Sequence, residues 1–561
     1  MKKFIAMLLA LLMLLTLVAC GGTTSESSKP SESSKASESS KADDSSEEES
    51  SEDTEPAGDG RFDSLQEVDE QVNLLLYWHN LQPTVNEEPT EESPKVRNAC
   101  RKITAEWLSA HPNVTVDWCQ NLEMTEEWVT VNYTAHTGPD TLFYWGGKLW
   151  VERDMALILD DIMASPNYYE PGSPIWKDMF PEYLFDGTEA TKMALNDKNQ
   201  IVAVPVVMAP GSDTAYYYNK DLAETLGISD VVATKSWAQM KENITTANEA
   251  GYIGTVPYNH GFGWEGGGSW DAQFSLNAAY FTPMKPDLDT NGDDVVDYAE
   301  AFKKQWEEGY FYIQNNPAID EYWEEYFWKA HNGLQEGWRD IDYTQPWADG
   351  QVLYIEEGLW SIVTYASNTE LTFDVGMFPP PYQSPADSEY VYDIEWTEAG
   401  PYQPPISTAF NIMNPATQEK PDYIVDYVVD WMKYVMTNDN LSIQIEEGEG
   451  VVGATKGCQV PSMMIDWFKQ SFPKKPGGYA FVSPGATEAT QTERNALFEE
   501  YMFGMKNHDE WVKAYDELLY KTMQTYFESG TNAENKEFWS EEYGWDVSTW
   551  DTDPVMPPHM A

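Results

Sequence analysis

The sequence is poor in positive charge and in cysteine. Its 561 residues carry 34 Lys and Arg against 94 Asp and Glu, which gives a formal net charge of −60. Proteins that bind nucleic acids attract phosphates with basic side chains, so this balance argues against a nucleic-acid-binding function and against adsorption to an anionic membrane surface. Cys20, Cys100, Cys119 and Cys458 are the only cysteines, too few for a disulfide-based scaffold.

Sequence motifs of common enzymes are also missing. The chain contains no G-x-S-x-G nucleophile elbow, no phosphate-binding glycine loop and no His-Glu-x-x-His. The seven histidines are not paired at metal-binding spacing. Asp and Glu are so abundant that no pair of them identifies a glycoside hydrolase. The sequence therefore does not indicate an enzyme.

Apolar runs of membrane-spanning length are absent after the N-terminus. Residues 4–17 follow the basic Lys2-Lys3 and have the length of a signal-peptide core. The following Leu17-Val18-Ala19-Cys20 resembles the bacterial lipobox, whose cysteine is lipid-modified and becomes the first residue after cleavage. We predict a lipoprotein signal peptide over 1–20 with Cys20 as its lipidation site. The alternative is an ordinary signal peptide with an incidental cysteine.

Residues 21–60 are rich in Ser, Glu, Lys and Asp and have almost no large apolar side chains. Such a segment cannot bury enough surface to order itself, so we predict a disordered acidic tether. A long tether on a lipid anchor is typical of a Gram-positive cell surface. We therefore expect the protein on the outer face of the cytoplasmic membrane, held there only by its lipid.

The remaining length suits two to four domains, and aromatic residues make up 14% of the chain. Residues 201–208 predict an apolar strand that stops at Ala209-Pro210-Gly211, and residues 215–218 predict a second strand. Asn219 is a good helix N-cap, and Gly227 permits the left-handed geometry that ends a helix. Strand, crossing, strand and helix is the pattern expected where a chain leaves one lobe and begins another.

The segments YYYNKDLAETLGI (216–228) and SWAQMKENITTANEAG (236–251) resemble the extracellular solute-binding proteins of ATP-driven (ABC) importers, carbohydrate type. The resemblance covers about residues 72–440. It implies an α/β, two-lobed periplasmic-binding-protein-like fold (type II) with a hinge of re-entrant strands. We assign 61–204 and 405–450 to lobe 1, and 205–404 and 451–561 to lobe 2.

Lobe 1 begins with a predicted strand–helix–strand unit. Residues 72–78 are nearly all apolar, 96–111 have helical spacing, and 114–118 alternate like a strand. Cys100 and Cys119 lie on that helix and strand. They either form a disulfide or remain two separate buried thiols.

The resemblance places aromatic residues at a ligand cleft, where flat rings can stack on the apolar face of a sugar. Trp360 matches the family's glycine-x-tryptophan element, and Trp264 and Trp270 lie in a glycine-rich segment. Other candidates lie at the carboxyl ends of predicted strands, where open α/β sheets bind ligands. The predicted ligand-binding residues are Trp360, Trp264, Trp270, Tyr144, Trp145 and Trp78.

Residues 289–300 have the spacing of an EF-hand calcium loop, with oxygen ligands at positions 1, 3, 5, 7, 9 and 12. A hard cation needs six or more oxygens around one point, and this spacing supplies them. Asp294 stands where the motif expects glycine, and Asp tolerates positive φ better than most residues. The alternative is an ordinary acidic loop. We predict a structural calcium site formed by Asp289, Asn291, Asp293, Val295, Asp297 and Glu300.

The resemblance implies a monomeric, non-enzymatic receptor that captures a carbohydrate and delivers it to ABC permease subunits. The length and aromatic content of the chain favour an oligosaccharide as that carbohydrate. Two alternatives stay open on the residues alone. One is a surface glycoside hydrolase that uses an Asp/Glu pair, and the other is a calcium-stapled carbohydrate adhesion module.

Overall fold

The computed structural model describes most of the chain after residue 59. The described residues are 60–88, 96–120, 124–143, 147–186, 194–196, 198–209, 214–228, 235–257, 270–366, 371–396, 406–448, 451–474, 481–484, 488–528, 536, 539–540 and 543–561. The predicted signal peptide, Cys20 and nearly all of the tether lie outside them.

The strands of the described residues form three sheets. They are β1 (Val72–Leu76), β2 (Val114–Trp118), β3 (Thr141–Leu142), β4 (Val204–Met208), β5 (Thr214–Asn219), β6 (Ile253–Thr255), β7 (Val352–Gly358), β8 (Val375–Phe378), β9 (Ile406–Ile412) and β10 (Val452–Gly453). β1 and β2 form a parallel pair. The two larger sheets have the strand orders β10-β4-β9-β3 and β6-β7-β5-β8.

Helices surround these sheets. They are α1 (Ala99–Ala110), α2 (Glu126–Thr134), α3 (Gly147–Glu152), α4 (Asp160–Ala164), α5 (Lys220–Thr225), α6 (Trp237–Glu249), α7 (Trp270–Phe281), α8 (Lys285–Leu288), α9 (Tyr298–Glu308), α10 (Pro317–Trp328), α11 (Thr344–Ala348), α12 (Ile362–Tyr365), α13 (Tyr423–Val435), α14 (Asn438–Glu447), α15 (Glu488–Met502) and α16 (His508–Glu528). The described part of the chain holds no helix that is long and apolar enough to cross a membrane. The mixture of helices and sheets confirms the predicted α/β class.

The first large sheet joins distant parts of the chain. β9 lies between β3 and β4 and pairs antiparallel with both, so that Met208 is opposite Ile406 and Thr141 is opposite Ile412. The apolar core around this sheet combines side chains from 72–208 with others from 406–454. The first core therefore uses both the start of the folded chain and a segment that returns much later.

The second large sheet is built from the intervening residues. β5 lies between β7 and β8 and pairs antiparallel with both, while β6 runs parallel to β7. One face packs on α6, which buries Trp237 and Ile244. The other face packs on Trp347 of α11 and on Trp467. The second sheet thus has an apolar core on each face, and we call the two together the second core.

A further apolar cluster, which we call the helical cluster, is formed by helices alone among the regular elements of the described residues. It joins side chains of α7, α9 and α10 to side chains of α15 and α16, and includes residues from 276–338 and 482–539. Much of the C-terminal region 451–561, which was assigned to lobe 2 without a defined role, packs in this cluster. The lobe boundaries given above stay a prediction, but the separate cores follow the same division of the chain near residues 209 and 406.

Local predictions around the first crossing are confirmed. The Asn219 side chain accepts a hydrogen bond from Leu222 N at 3.0 Å and so caps α5. Gly227 follows with a φ of +75°. β1, α1 and β2 form the predicted unit, with Val72 opposite Val114 in a parallel pair. Cys100 and Cys119 are both buried and form no disulfide, which decides between the two possibilities left open by the sequence.

Candidate functional site

The structure describes the predicted ligand-binding residues unevenly. Tyr144, Trp145 and Trp264 lie outside the described residues. Trp270 is described through its backbone as the first residue of α7, and Trp360 through its backbone within a single 3-10 turn, Leu359–Ser361. These five residues therefore remain predictions as ligand contacts.

Trp78 has a different role from the predicted one. Its side chain is 0% exposed, and its ring stacks on Phe410 with centroids 4.4 Å apart. Trp431 packs against Trp78 edge-on, with centroids 4.9 Å apart. Trp78 Nε1 donates to Gln444 Oε1 at 3.0 Å. The structure corrects the ligand-contact prediction: the side chain points into the first core, so no face of the indole is open to a sugar.

The backbone that leads into Trp360 is held by buried groups. Tyr217 donates from its hydroxyl to Gly358 O at 3.0 Å, and Gly358 N donates to Glu357 Oε1 at 2.9 Å. Leu359, the first residue of the turn, and Ile362, which follows it, are both buried against the second sheet. The turn that carries Trp360 thus starts from a fixed strand end, which is what a binding group needs to keep its orientation.

Beside this strand end lies a buried ion pair. Lys329 Nζ contacts Glu356 Oε2 and lies 2.6 Å from the Tyr216 hydroxyl oxygen. Tyr216 also donates to Glu356 Oε2 at 2.6 Å. Lys329 belongs to a π-helical turn, Lys329–Gly333, that continues α10. Glu356 is 0% exposed. Buried charges persist only when they are paired and hydrogen-bonded, so these three groups tie α10 to β5 and β7.

The carboxyl ends of β1 and β3 lie side by side in the first half of the molecule. Tyr77 N donates to Thr141 Oγ1 at 3.0 Å, and the same hydroxyl donates to Tyr77 O at 2.9 Å. After β1 the chain enters the short turn His79–Leu81. The His79 ring packs on Phe143, which follows β3, with centroids 4.6 Å apart. The half-buried imidazole therefore packs on Phe143, the residue that directly precedes the predicted residues Tyr144 and Trp145 in sequence.

His79 is the polar residue that sequence reasoning missed at this edge. Its φ is +36°, a value that non-glycine residues rarely adopt. Burial, assisted by the positive charge of Arg97, lowers the pKa of His79 to about 4. One signal in the sequence pointed to it, because His79 directly follows the apolar strand whose carboxyl end was expected to face a ligand.

The predicted calcium loop has the backbone geometry that its motif requires. Gly292 and Asp294 have φ values of +79° and +65°, and the N–H groups of both donate to the Asp289 carboxylate at 2.6 and 2.9 Å. Asp294 thus adopts the positive φ expected at the glycine position. Val296, at position 8, is buried in the helical cluster.

The end of the loop is tied to α9. Asp297 caps this helix by accepting from Glu300 N at 2.9 Å. The Glu300 side chain is 0% exposed and accepts from Thr290 N at 2.6 Å and Asn291 N at 3.2 Å. Burial raises the pKa of Asp297, and the neighbouring Glu300 charge adds to that increase.

The loop fits a hard cation by its donor chemistry and its turn. In the described part of the chain no three acidic, His or Cys side chains converge into a ready metal site. The Asp289 and Glu300 carboxylates accept loop N–H groups. A carboxylate has about four lone-pair sites. Asp289 accepts two loop N–H groups and keeps acceptor capacity for a cation. Glu300 already accepts four hydrogen bonds, from Thr290 N and Oγ1, Asn291 N and Asp297 N, and would have to exchange some of them for the ion. The oxygens of Asp289, Asn291, Asp293, Asp297 and Glu300, with the Val295 carbonyl, are the groups that would hold it.

No family model and no curated protein sequence matches the chain. Structural comparison finds several solved solute-binding proteins. A family 1 extracellular solute-binding protein from Bifidobacterium longum subsp. infantis is 14% identical, with a TM-score of 0.47 over 80% of this chain and 99% of that one. RafE in complex with raffinose is 14% identical, with a TM-score of 0.48 over 81% and 100% of the two chains.

A third solved structure is the GacH receptor of Streptomyces glaucescens, determined unliganded and in complex with acarbose. It is 15% identical to this chain, with a TM-score of 0.47 over 81% of this chain and 99% of the receptor. Identities and TM-scores at this level assign no family by themselves.

The buried ion pair yields a stability prediction. Lys329→Met and Glu356→Leu each leave one uncompensated buried charge, so each single change should lower the free energy of unfolding by about 3–5 kcal/mol. The double variant should be less destabilised than either single variant, because it leaves no charge behind. Thermal unfolding of the four proteins measures this coupling.

The matched control is the exposed pair Lys469–Asp466, whose atoms are 2.7 Å apart and whose side chains are 69% and 89% exposed. Lys469→Met should cost less than about 1 kcal/mol, because water screens exposed pairs. Equal losses for Lys329→Met and Lys469→Met would show that the buried pair does not stabilise the second sheet.

Proposed function

We propose that the chain is an extracellular solute-binding lipoprotein that captures a carbohydrate between two separately packed halves and delivers it to the permease of an ABC importer. The observation that carries the proposal is the division of the chain at the segments that resemble this family. β4 is the last strand of the first large sheet before the chain crosses, and β5 is the first strand of the second large sheet. The family-like segment 216–228 covers most of β5 and all of α5.

Three crossings of the chain between the two cores support a hinge. The first follows β4, the second precedes β9, and the third runs from β10 to Met464 and Trp467 of the second core. Glu446 of α14 holds the third crossing by accepting from Ser462 N at 3.0 Å. Short connections between two rigid bodies allow them to open and close around a ligand.

The chemistry of the proposed ligand follows from the aromatic residues at these edges. A sugar has apolar C–H faces that pack on flat rings, and hydroxyl groups that need hydrogen-bonding partners. Trp360 supplies the ring in the second half, at the end of the fixed strand β7. In this proposal the protein binds and releases its ligand unchanged, as a monomer, without catalysis.

The proposal includes the membrane attachment predicted from residues 1–60. Lipid on Cys20 would hold the protein at the outer face of the cytoplasmic membrane, and the acidic segment would separate the folded part from the bilayer. The nearest described residues support a fixed junction: Arg61 contacts Asp426 of α13 at 2.7 Å.

We also propose that the loop 289–300 binds calcium as a structural ion. Bound calcium would supply positive charge among the loop carboxylates and stabilise the start of α9. The loop sits at the edge of the helical cluster, so its role is to fix that part of the fold.

The main test is direct binding. Full-length protein should bind at least one of raffinose, acarbose and a chitin oligosaccharide, and calorimetry should give a saturable dissociation constant. Trp360→Ala should weaken that binding by about tenfold or more, because stacking energy of 1.4 kcal/mol corresponds to a factor of ten. Trp545→Ala, a half-buried tryptophan of the helical cluster, is the control and should bind like the wild type.

Two outcomes would contradict this proposal. Release of new reducing ends from an oligosaccharide during incubation would identify a hydrolase. Binding only to insoluble polymer or to whole cells, with no affinity for soluble sugars, would identify an adhesion module.

Calcium should raise the melting temperature, and a chelator should reverse the effect. An ion present at 100 times its dissociation constant stabilises the folded state by about 2.7 kcal/mol. The gain should disappear in Asp289→Asn, which removes a carboxylate at position 1, and persist in Asp466→Asn, an exposed control outside the loop.

The gain in melting temperature should also fall as the pH is lowered, since a raised pKa lets Asp297 take up a proton in competition with the ion. A wild-type melting temperature that does not change when calcium is added would refute the calcium site at 289–300.

A further inference from the structure

His79 occupies a position where a ligand can reach it. It follows the carboxyl end of β1 and packs on Phe143, which follows the carboxyl end of β3. β1 and β3 belong to different sheets, and Tyr77 N donates to Thr141 Oγ1 where they meet. The carboxyl ends of strands in α/β folds are the common location of ligands. His79 is half-buried, whereas its neighbours Tyr77 and Trp78 are 1% and 0% exposed. Of these three residues, His79 alone keeps an accessible surface.

The backbone of His79 is strained. A φ of +36° lies outside the favoured regions for a side chain of this size. Such a conformation costs of order 1–3 kcal/mol and persists only where the surroundings enforce it. The surroundings are visible here: Leu81 N donates to Trp78 O at 3.0 Å, and Arg97 donates to Asn80 O at 3.0 Å. In this conformation the imidazole packs on Phe143 and the Tyr77 hydroxyl at the margin of the core that holds Trp78.

One nitrogen of the imidazole is occupied and the other is not. Nδ1 lies 2.9 Å from the hydroxyl oxygen of Tyr77. Among the described residues Nε2 has no hydrogen-bond partner. Because burial raises the pKa of Tyr77 to about 12, this phenol keeps its proton. We assign that proton to the bond with Nδ1, which places the ring proton on Nε2 as a free donor.

The surroundings keep the ring neutral. The groups that face it are the Tyr77 phenol and Phe143, and the charge that acts on it is the Arg97 guanidinium. A neutral imidazole beside a cation suits an uncharged, hydroxyl-rich ligand better than an ammonium or another cation.

We propose that His79 contacts the ligand by donating a hydrogen bond from Nε2 to a hydroxyl or ring oxygen of a carbohydrate, and that Tyr77 positions the imidazole for this contact. The inference rests on the proposed carbohydrate-binding function and adds a polar contact in the first half to the aromatic contact proposed for Trp360.

The test replaces His79 with Asn, since Asn tolerates positive φ and preserves the turn. The matched control is His136→Asn, because His136 also has a positive φ, +59°, and lies after α2 in the same half. Calorimetry uses the tightest-binding sugar among raffinose, acarbose and a chitin oligosaccharide. His79→Asn should weaken binding about five- to tenfold, the effect of one lost hydrogen bond. His136→Asn should change it less than twofold.

Nitrogen NMR of the wild-type protein provides a second measurement that needs no variant. Adding the same sugar should shift the Nε2 resonance of His79 and leave His136 unchanged. Tyr77→Phe removes the hydroxyl group that donates to Nδ1 of His79. The ring proton should then be shared between Nδ1 and Nε2, and binding should weaken less than in His79→Asn.

The outcomes separate the two proposals. Suppose that the wild-type protein binds a sugar, but His79→Asn binds it with unchanged affinity or the Nε2 resonance does not shift. The assignment of His79 is then wrong, and the proposed function stands. A wild-type protein that binds none of these sugars overturns the carbohydrate function, and the assignment of His79 falls with it.

Discussion

The pairing of β9 with β4 is the constraint on which the rest of the structure depends. β9 fills the position between β3 and β4, so the first sheet is incomplete until the chain has built the second and returned. The pair Met208–Ile406 brings the two ends of the inserted part close together. Closing so long a loop is entropically costly, and the buried apolar strands on both sides of it must offset that cost. The same pairing makes the second sheet an insertion joined by short connections.

Buried polar groups fix the strand ends in both halves. In the first half, Asp140 accepts from Leu75 N at 2.8 Å and pairs with Lys420 at 2.5 Å. In the second half, Glu356 pairs with Lys329 beside the end of β7. Each of these groups would cost several kcal/mol if it lost its partner. Polar networks of this kind favour one arrangement of the strand ends, and the loops that follow them inherit that arrangement.

Much of the fold could be predicted from the sequence because its signals are local. The N-cap at Asn219, the stop at Gly227 and the apolar strands at 72–76 and 204–208 each depend on neighbouring residues only. The burial of the Trp78 side chain could not be predicted from its neighbours in sequence. Whether its indole faces a cleft or a core depends on Phe410 and Trp431, which lie far along the chain.

The candidate site shows the same limit. A motif with fixed spacing, such as 289–300, could be recognised and its turn at Asp294 anticipated. His79 carried no motif, and neither its positive φ nor its bond to Tyr77 is signalled by the residue types around it. The helical cluster was equally hidden, since its core joins residues 276–338 to residues 482–539.

The two termini of the folded chain are attached to different cores. Near the start, Lys433 of α13 donates to Phe62 O at 2.7 Å in the first core. Near the end, Val555 N donates to Trp306 O at 2.9 Å, and Gln314 lies 2.6 Å from His559, both in the helical cluster. In the proposed receptor each end of the folded chain would therefore move with a different half. A fluorophore near each end would then report the capture of a ligand as a change in energy transfer.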